Sequence, residues 1–215
     1  SAIDLAELIT MLRSTEGEKQ SQGVVIAFAA RLAGTGLVLW ANLVSTAGGL
    51  LMNFRSIPPG AGTYLLIAVG LRLGVLPLHL PYLKENVLRR GFGTTLRLVS
   101  AAASLSLLAR IPANALNSSL APYLLILAAV AALYASWMWM RASDEILGRP
   151  FWVLGMASLS VTASIRGNPT GSIGWGVMLI LGGGLLFLFS ARQRSSICLP
   201  LLRLWGVSAL HFSPS

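Results

Sequence analysis

Apolar residues in this chain follow two patterns, a short periodic stretch and then a series of long runs. Within residues 1–22, Ile3, Leu5, Leu8, Ile9 and Leu12 recur at the spacing that gives a helix one apolar face. That stretch is too short to cross a bilayer alone and reads as an amphipathic or truncated helix. From Gly23 onward, apolar runs of about twenty residues succeed one another, the length a transmembrane helix needs. Residues 23–212 are therefore predicted to hold the membrane spans, at about 23–52, 61–82, 94–111, 120–140, 150–165, 173–191 and, less regularly, 198–212. The second of these contains Gly74, Pro77 and Pro81. An interior proline removes a backbone hydrogen bond and crowds the preceding turn, so this span is expected to kink or break. The predicted fold is an all-α membrane protein, a bundle of about six or seven transmembrane helices with one proline-broken helix, in which residues 1–215 form a single transmembrane domain.

Composition strengthens that reading. Hydrophobic residues make up 55% of the 215 and charged residues 11%, against roughly a quarter charged in a soluble domain. Sixteen basic and seven acidic residues leave a formal charge of +9, which in a soluble domain would point to nucleic acid. Here the basic residues fall mainly in short connections, so nucleic acid is not expected as a partner and the lipid bilayer is. Threading the spans in alternation puts Lys19, Lys84, Arg89, Arg90, Arg141, Arg149, Arg192 and Arg194 on one side. Arg55, Arg166 and Arg110 fall on the other. The positive-inside bias makes the first side the cytoplasm, or the matrix of a mitochondrion. Tyr134, Trp137 and Trp139 beside Arg141 form an aromatic and basic belt of the kind found at the membrane interface. Ser158, Ser160, Thr162 and Ser164 suggest a span face turned into the bundle, and Gly182, Gly183 and Gly184 would permit close helix contact. The single cysteine, Cys198, has no partner for an intramolecular disulfide and no metal-site spacing around it. The acidic N-terminus does not resemble a signal peptide, and the start without Met, with a stop just after an apolar run, reads as a piece of a longer chain.

Candidate chemistry concentrates in Gly70-Leu71-Arg72-Leu73-Gly74-Val75-Leu76-Pro77-Leu78-His79-Leu80-Pro81. Arg72 is about eleven residues into its span, where an ionised group costs about 3 kcal/mol on insertion scales and must face a partner, a carbonyl or water. It reads either as part of an ion or proton path or as a structural arginine capping the broken helix. His79, with a reference pKa of about 6.5, either exchanges protons or bonds a freed carbonyl. Arg31 is about nine residues into the first span and resembles Arg72, whereas Arg97 lies near the start of its span and is expected to snorkel to the interface. Glu7 and Asp4 in the first helix are the candidate counterions. The remaining acids, Glu145 and Asp144 among them, are placed in connections, as is Arg149. Nucleotide-binding glycine loops, paired carboxylates within a span and His/Cys clusters are missing, so no catalytic, cofactor or metal site is expected in this chain.

The order of a long span, a broken span with a basic residue and Pro77-Leu78-His79, a further span, and Leu133-Tyr134-Ala135-Ser136-Trp137-Met138 resembles the antiporter-like subunits of respiratory complex I and of the Mrp cation/proton antiporters. The resemblance covers most of the chain. It places Arg72 where that family's seventh helix carries a lysine a few residues before Pro-Phe-His, and Glu7, or second to it Asp4, where the fifth helix carries the paired glutamate. The stretch from Leu124 through Arg141 to Phe151-Trp152-Val153-Leu154-Gly155-Met156 is similar to the ninth and tenth helices, residues 171–190 to the eleventh, and residues 199–215 to the start of the twelfth. Departures are equally visible: the eighth-helix lysine falls in Ala101-Ala102-Ala103, and the eleventh-helix histidine falls among Leu181-Gly182-Gly183. The resemblance implies a divergent antiporter-like subunit of a proton- or cation-coupled complex such as respiratory NADH:quinone oxidoreductase, in a bacterial or mitochondrial inner membrane. In it this chain would contribute to proton translocation or keep a vestige of it, with other membrane subunits as partners. Arg72, His79, Glu7 and Arg31 are then the path candidates and Gly74, Pro77 and Pro81 the helix break. The competing expectation is a non-conducting structural or assembly subunit of the membrane arm.

Overall fold

The computed structural model describes residues 2–14, 18–47, 57–58, 61–76, 90–112, 119–143 and 145–189. Within them the chain is helical throughout, with no strand. The helices are α1 (Ala2–Ser14), α2 (Glu18–Ala47), α3 (Ala61–Leu73), α4 (Arg90–Leu108), α5 (Ala121–Arg141), α6 (Glu145–Ile165) and α7 (Pro169–Val177). The last continues through a π-helical turn (Met178–Gly182) into α8 (Gly183–Phe189). Five helical stretches are long and apolar enough to cross a membrane, and α3 is a shorter apolar helix. The protein is an integral membrane protein. His79, Pro77, Pro81 and the span predicted at 198–212 lie outside the described residues.

Which side chains face outward identifies the solvent. Val25, Ile26, Leu32, Leu39, Trp40 and Leu43 on α2 are all exposed, as are Tyr123, Ile126, Val130, Leu133, Trp137 and Met140 on α5. In water such continuous apolar faces would drive association, whereas in hydrocarbon they cost nothing. Lipid also removes the hydrophobic drive between helices, so close packing and polar contacts must hold them together. Small residues supply the close packing between α5 and α6. Ala128, Ala131 and Ala135 are fully buried on one face of α5, and a Cβ on Gly155 would sit 3.6 Å from that of Ala135. On α6, Ser158, Ser160 and Ser164 turn inward, and Ser160 donates a 2.7 Å hydrogen bond to the carbonyl of Ser172 on α7. Gly182 and Gly183 let the π-helical turn approach Trp152, and Gly183 also meets Leu98 of α4.

The broken helix breaks at glycine. Gly74 adopts φ 80°, a conformation that costs residues with a Cβ and is free to glycine. Its N–H bonds the carbonyl of Leu71 at 3.2 Å while the N–H of Val75 bonds that of Gly70 at 2.8 Å, the paired bonds of a Schellman cap. Leu76 folds back on Gly70, where an added Cβ would come within 2.6 Å of the Leu76 side chain. The predicted span 61–82 therefore ends as a helix at Leu73, before its first proline. Other boundaries shift as well, the first span beginning at Glu18, five residues ahead of the expectation and inside the stretch 1–22. α4 begins at Arg90, four residues ahead of the expectation, and α6 begins at Glu145 with Pro150 inside it. Glu145 is thus part of a helix. α7 opens four residues ahead of the expected 173, at Pro169, with Asn168 accepting a 2.8 Å hydrogen bond from the N–H of Gly171.

Candidate functional site: a buried ion-pair seam

Four helices contribute charged or hydroxyl side chains to one seam, and helical spacing explains each contribution. Asp4 and Glu7 are three residues apart on α1, Arg31 and Thr35 four apart on α2, and Arg97, Ser100 and Ser104 follow at three and four on α4. Such spacings put side chains on one helix face. Arg72 comes from the last turn of α3, about 17 Å along the axis from Ala61.

Each nitrogen of the Arg72 guanidinium has an acceptor. One terminal nitrogen donates to Oδ2 of Asp4 at 3.2 Å, the other to Oγ1 of Thr35 at 2.6 Å, and Nε to Oγ of Ser104 at 3.2 Å. The two hydroxyls accept from Arg72 while donating to their own helices, Thr35 to the carbonyl of Arg31 at 3.0 Å and Ser104 to that of Ser100 at 3.2 Å. A hydroxyl has one donor and two acceptor sites, so it can serve both bonds. Ser100 donates to the other oxygen of Asp4 at 3.3 Å.

Glu7 is held by two arginines. Arg31 grips it in a two-pronged pair, with one contact at 3.1 Å and a second, closer one, and Arg97 approaches its Oε1 at 3.3 Å. Arg31 also lies 4.0 Å from Asp4. The charges thus alternate in sign along the seam as Arg72, Asp4, Arg31, Glu7, Arg97. Alternation is what makes so many ionised groups tolerable in a low-dielectric interior, since each desolvated charge faces an opposite one. Side-chain exposure stays at or below 12% for all five.

The candidate residues therefore divide. Arg72, Arg31, Glu7 and Asp4 converge, while His79 lies outside the described residues. The pairing refines the expectation, for Asp4 is the acid that meets Arg72, and Glu7 serves Arg31 and Arg97. Arg97 corrects an expectation. It does not snorkel but is 6% exposed and points at Glu7. Because α4 starts a turn earlier than predicted, Arg97 is deeper than its position in the apolar run implied. The polar stripe Arg97, Ser100, Ser104 was the signal that would have found it. Arg149 is a second correction. Expected in a connection, it is 1% exposed inside α6 and donates to Oγ1 of Thr94 on α4 at 3.0 Å. Thr94 precedes Arg97 by three residues, so the polar face of α4 extends a further turn.

A small crevice of about 20 Å3, room for about one water molecule, lies against the seam between α1, α2 and α4. Asp4, Glu7, Arg31 and Arg97 form its polar wall. Among the described residues, no three His, Cys, Asp or Glu side chains are grouped as metal ligands would be. Comparison with family models, with curated proteins and with solved structures gives no match in any of the three. What the seam can do must then be argued from its own chemistry. The carboxylates of Asp4 and Glu7 can take up and release protons, and the three guanidiniums hold permanent charge because arginine does not deprotonate in proteins.

Proposed function

We propose that this chain is a divergent antiporter-like membrane subunit of a proton- or cation-coupled complex of the NADH:quinone oxidoreductase type, in a bacterial or mitochondrial inner membrane. Other membrane subunits of that complex would be its partners. The observation that carries the reading is the 3.2 Å pair between Asp4 of the first helix and Arg72 at the end of the broken helix. A carboxylate on one helix paired with a basic residue on a broken helix two helices later is the arrangement the resemblance implies. In this reading Asp4 and Glu7 are the groups that gain and lose protons, and Arg72 and Arg31 set their affinity. A proton arriving at Asp4 weakens its hold on Arg72, which then leans on Thr35 and Ser104.

The test is proton flux in the reconstituted complex. Asp4→Asn and Arg72→Ala are expected to lower it at least tenfold while the complex still assembles. Arg72→Lys, which keeps the charge and loses the three-way fork, is expected to fall between. Unchanged flux in an assembled Asp4→Asn complex would remove the seam from any proton path.

A second reading, a non-conducting structural subunit, is favoured by the acceptor found at each nitrogen of Arg72. Here the seam fastens α1 to the bundle. This reading expects Arg72→Ala to abolish assembly, and Arg72→Lys to restore assembly without affecting flux.

A further inference from the structure

Arg31 stands between the two carboxylates of the seam. One of its terminal nitrogens bonds Oε2 of Glu7 and lies 4.0 Å from Oδ1 of Asp4. The second distance is too long for a direct hydrogen bond, and a polar contact of that length is where a bridging water fits. The crevice between α1, α2 and α4 supplies the room. Its volume of about 20 Å3 is enough for one water, and Asp4, Glu7, Arg31 and Arg97 line it. A buried water needs two to four such polar partners. Asp4 and Glu7 lie three residues apart on one helix face, which sets their Cβ atoms about 5–6 Å from each other, near enough for one water to bond both. Glu7 receives three contacts from Arg31 and Arg97, and a carboxylate has about four acceptor sites, so one is left for the water.

We propose that the crevice holds a single water bonded to both Asp4 and Glu7, and that this water passes a proton between them around Arg31. The proton step rests on the antiporter-like reading, whereas the water site does not. Arginine keeps its proton in proteins, so Arg31 closes the direct line from one carboxylate to the other. In the step, the O–H bond of a protonated Glu7 breaks and its proton joins the water oxygen. A second O–H bond, on the same water, breaks in turn, and that proton forms an O–H bond on Asp4. The water is regenerated, Glu7 is left as a carboxylate, and no group is oxidised or reduced. A cation is the poorer occupant, because two guanidiniums face the same crevice and repel it. Ala27 of α2 also lines the crevice, and a larger side chain there displaces the water without removing a charge.

The experiment uses the assembled, reconstituted complex. Electron cryo-microscopy at a resolution that shows other buried waters is expected to show one density within hydrogen-bond distance of Asp4 and Glu7, unchanged when sodium is replaced by choline. Ala27→Val is expected to remove that density and to lower proton flux at least about tenfold. Ala29→Val, the same enlargement at an exposed position of α2, is expected to keep both. Should Ala27→Val not assemble, the smaller Ala27→Cys takes its place. An empty crevice, or a density that disappears with sodium, would overturn the water site. Flux lost in Asp4→Asn but undiminished in Ala27→Val, with the density gone, would overturn the relay and leave the transport reading standing. Absence of flux from the unaltered complex would end the relay and the transport reading together, with the density still deciding the site.

Discussion

Arg72 and Asp4 depend on each other because neither is stable alone at their depth. Removing one partner of a buried pair leaves the other charge desolvated, at a cost of about 3–5 kcal/mol, whereas removing both costs much less. Arg72→Ala and Asp4→Asn are each expected to destabilise the protein by that order in a bilayer unfolding assay. The double variant Asp4→Asn/Arg72→Ala should cost clearly less than their sum, and simple additivity would mean the two residues do not interact. The same logic holds for Glu7 and its two arginines. Arg72 was legible in the sequence because a charge deep in an apolar run has few explanations. Arg97 was not, because nearness to a predicted span boundary gave it a cheaper one, and only the turn added to α4 and the approach of Glu7 removed it.

At the scale of elements, α1 reverses the usual amphipathic arrangement. Leu5, Ile9 and Leu12 are 52%, 45% and 39% exposed while Asp4 and Glu7 are 3% exposed, so the acidic face is the one that packs inward. In water the opposite face would be buried, and in lipid the polar face has the most to gain from partners. The apolar spacing of residues 1–22 thus announced a helix with two faces, but which face turns inward follows from the arginines on α2, α3 and α4. Spin labels at Leu5 and Ile9 are expected to collide more often with dissolved oxygen than with a water-soluble nickel chelate, and the reverse order would place this face in water. The break in α3 was also anticipated, although from its prolines as well as from Gly74. Since Gly74 carries the φ of 80°, Gly74→Val is expected to cost about 1–2 kcal/mol and to loosen the Arg72 turn. Gly34 on α2 is a second tight point. A Cβ there would lie 2.8 Å from both the Ala68 carbonyl and Cγ of Arg72, so Gly34→Ala should part α2 from α3 at a cost of about 1–3 kcal/mol. Its unfolding defect should shrink in an Arg72→Ala background, where the crowded Cγ is gone and, of the two short contacts, only that with the Ala68 carbonyl remains.

At the scale of the molecule, the outer faces of α2 and α5 carry most of the exposed large apolar side chains among the described residues, and the interior divides by polarity. Alanines, glycines and branched side chains join α3, α5 and α6, whereas the ion pairs gather where α1, α2, α3 and α4 meet. Trp139, two residues before the end of α5, has its ring 5.5 Å from that of Trp152, tilted, and 6.1 Å from that of Phe187, edge to face, while Arg141 lies 4.5 Å over the ring of Trp137. This fits an interfacial belt. Labels at Leu39, Ile126 and Leu133 are expected to report hydrocarbon throughout, with a depth order that follows their helices. Access of the polar quencher to Leu133 would put α5 against water or a partner's channel.

Apolar run length alone determined the solvent of this protein, its all-helical class and most of its spans, because in hydrocarbon every backbone polar group must be bonded within its own segment. Residue type alone also marked Arg72 and Arg31 as needing partners. Tertiary structure decided who those partners are: Asp4 rather than Glu7 for Arg72, Glu7 shared by Arg31 and Arg97, and Thr94 for Arg149. Partner choice depends on which faces of separate helices meet and at what height. Those two quantities come from packing between helices, and no pattern within one helix specifies them.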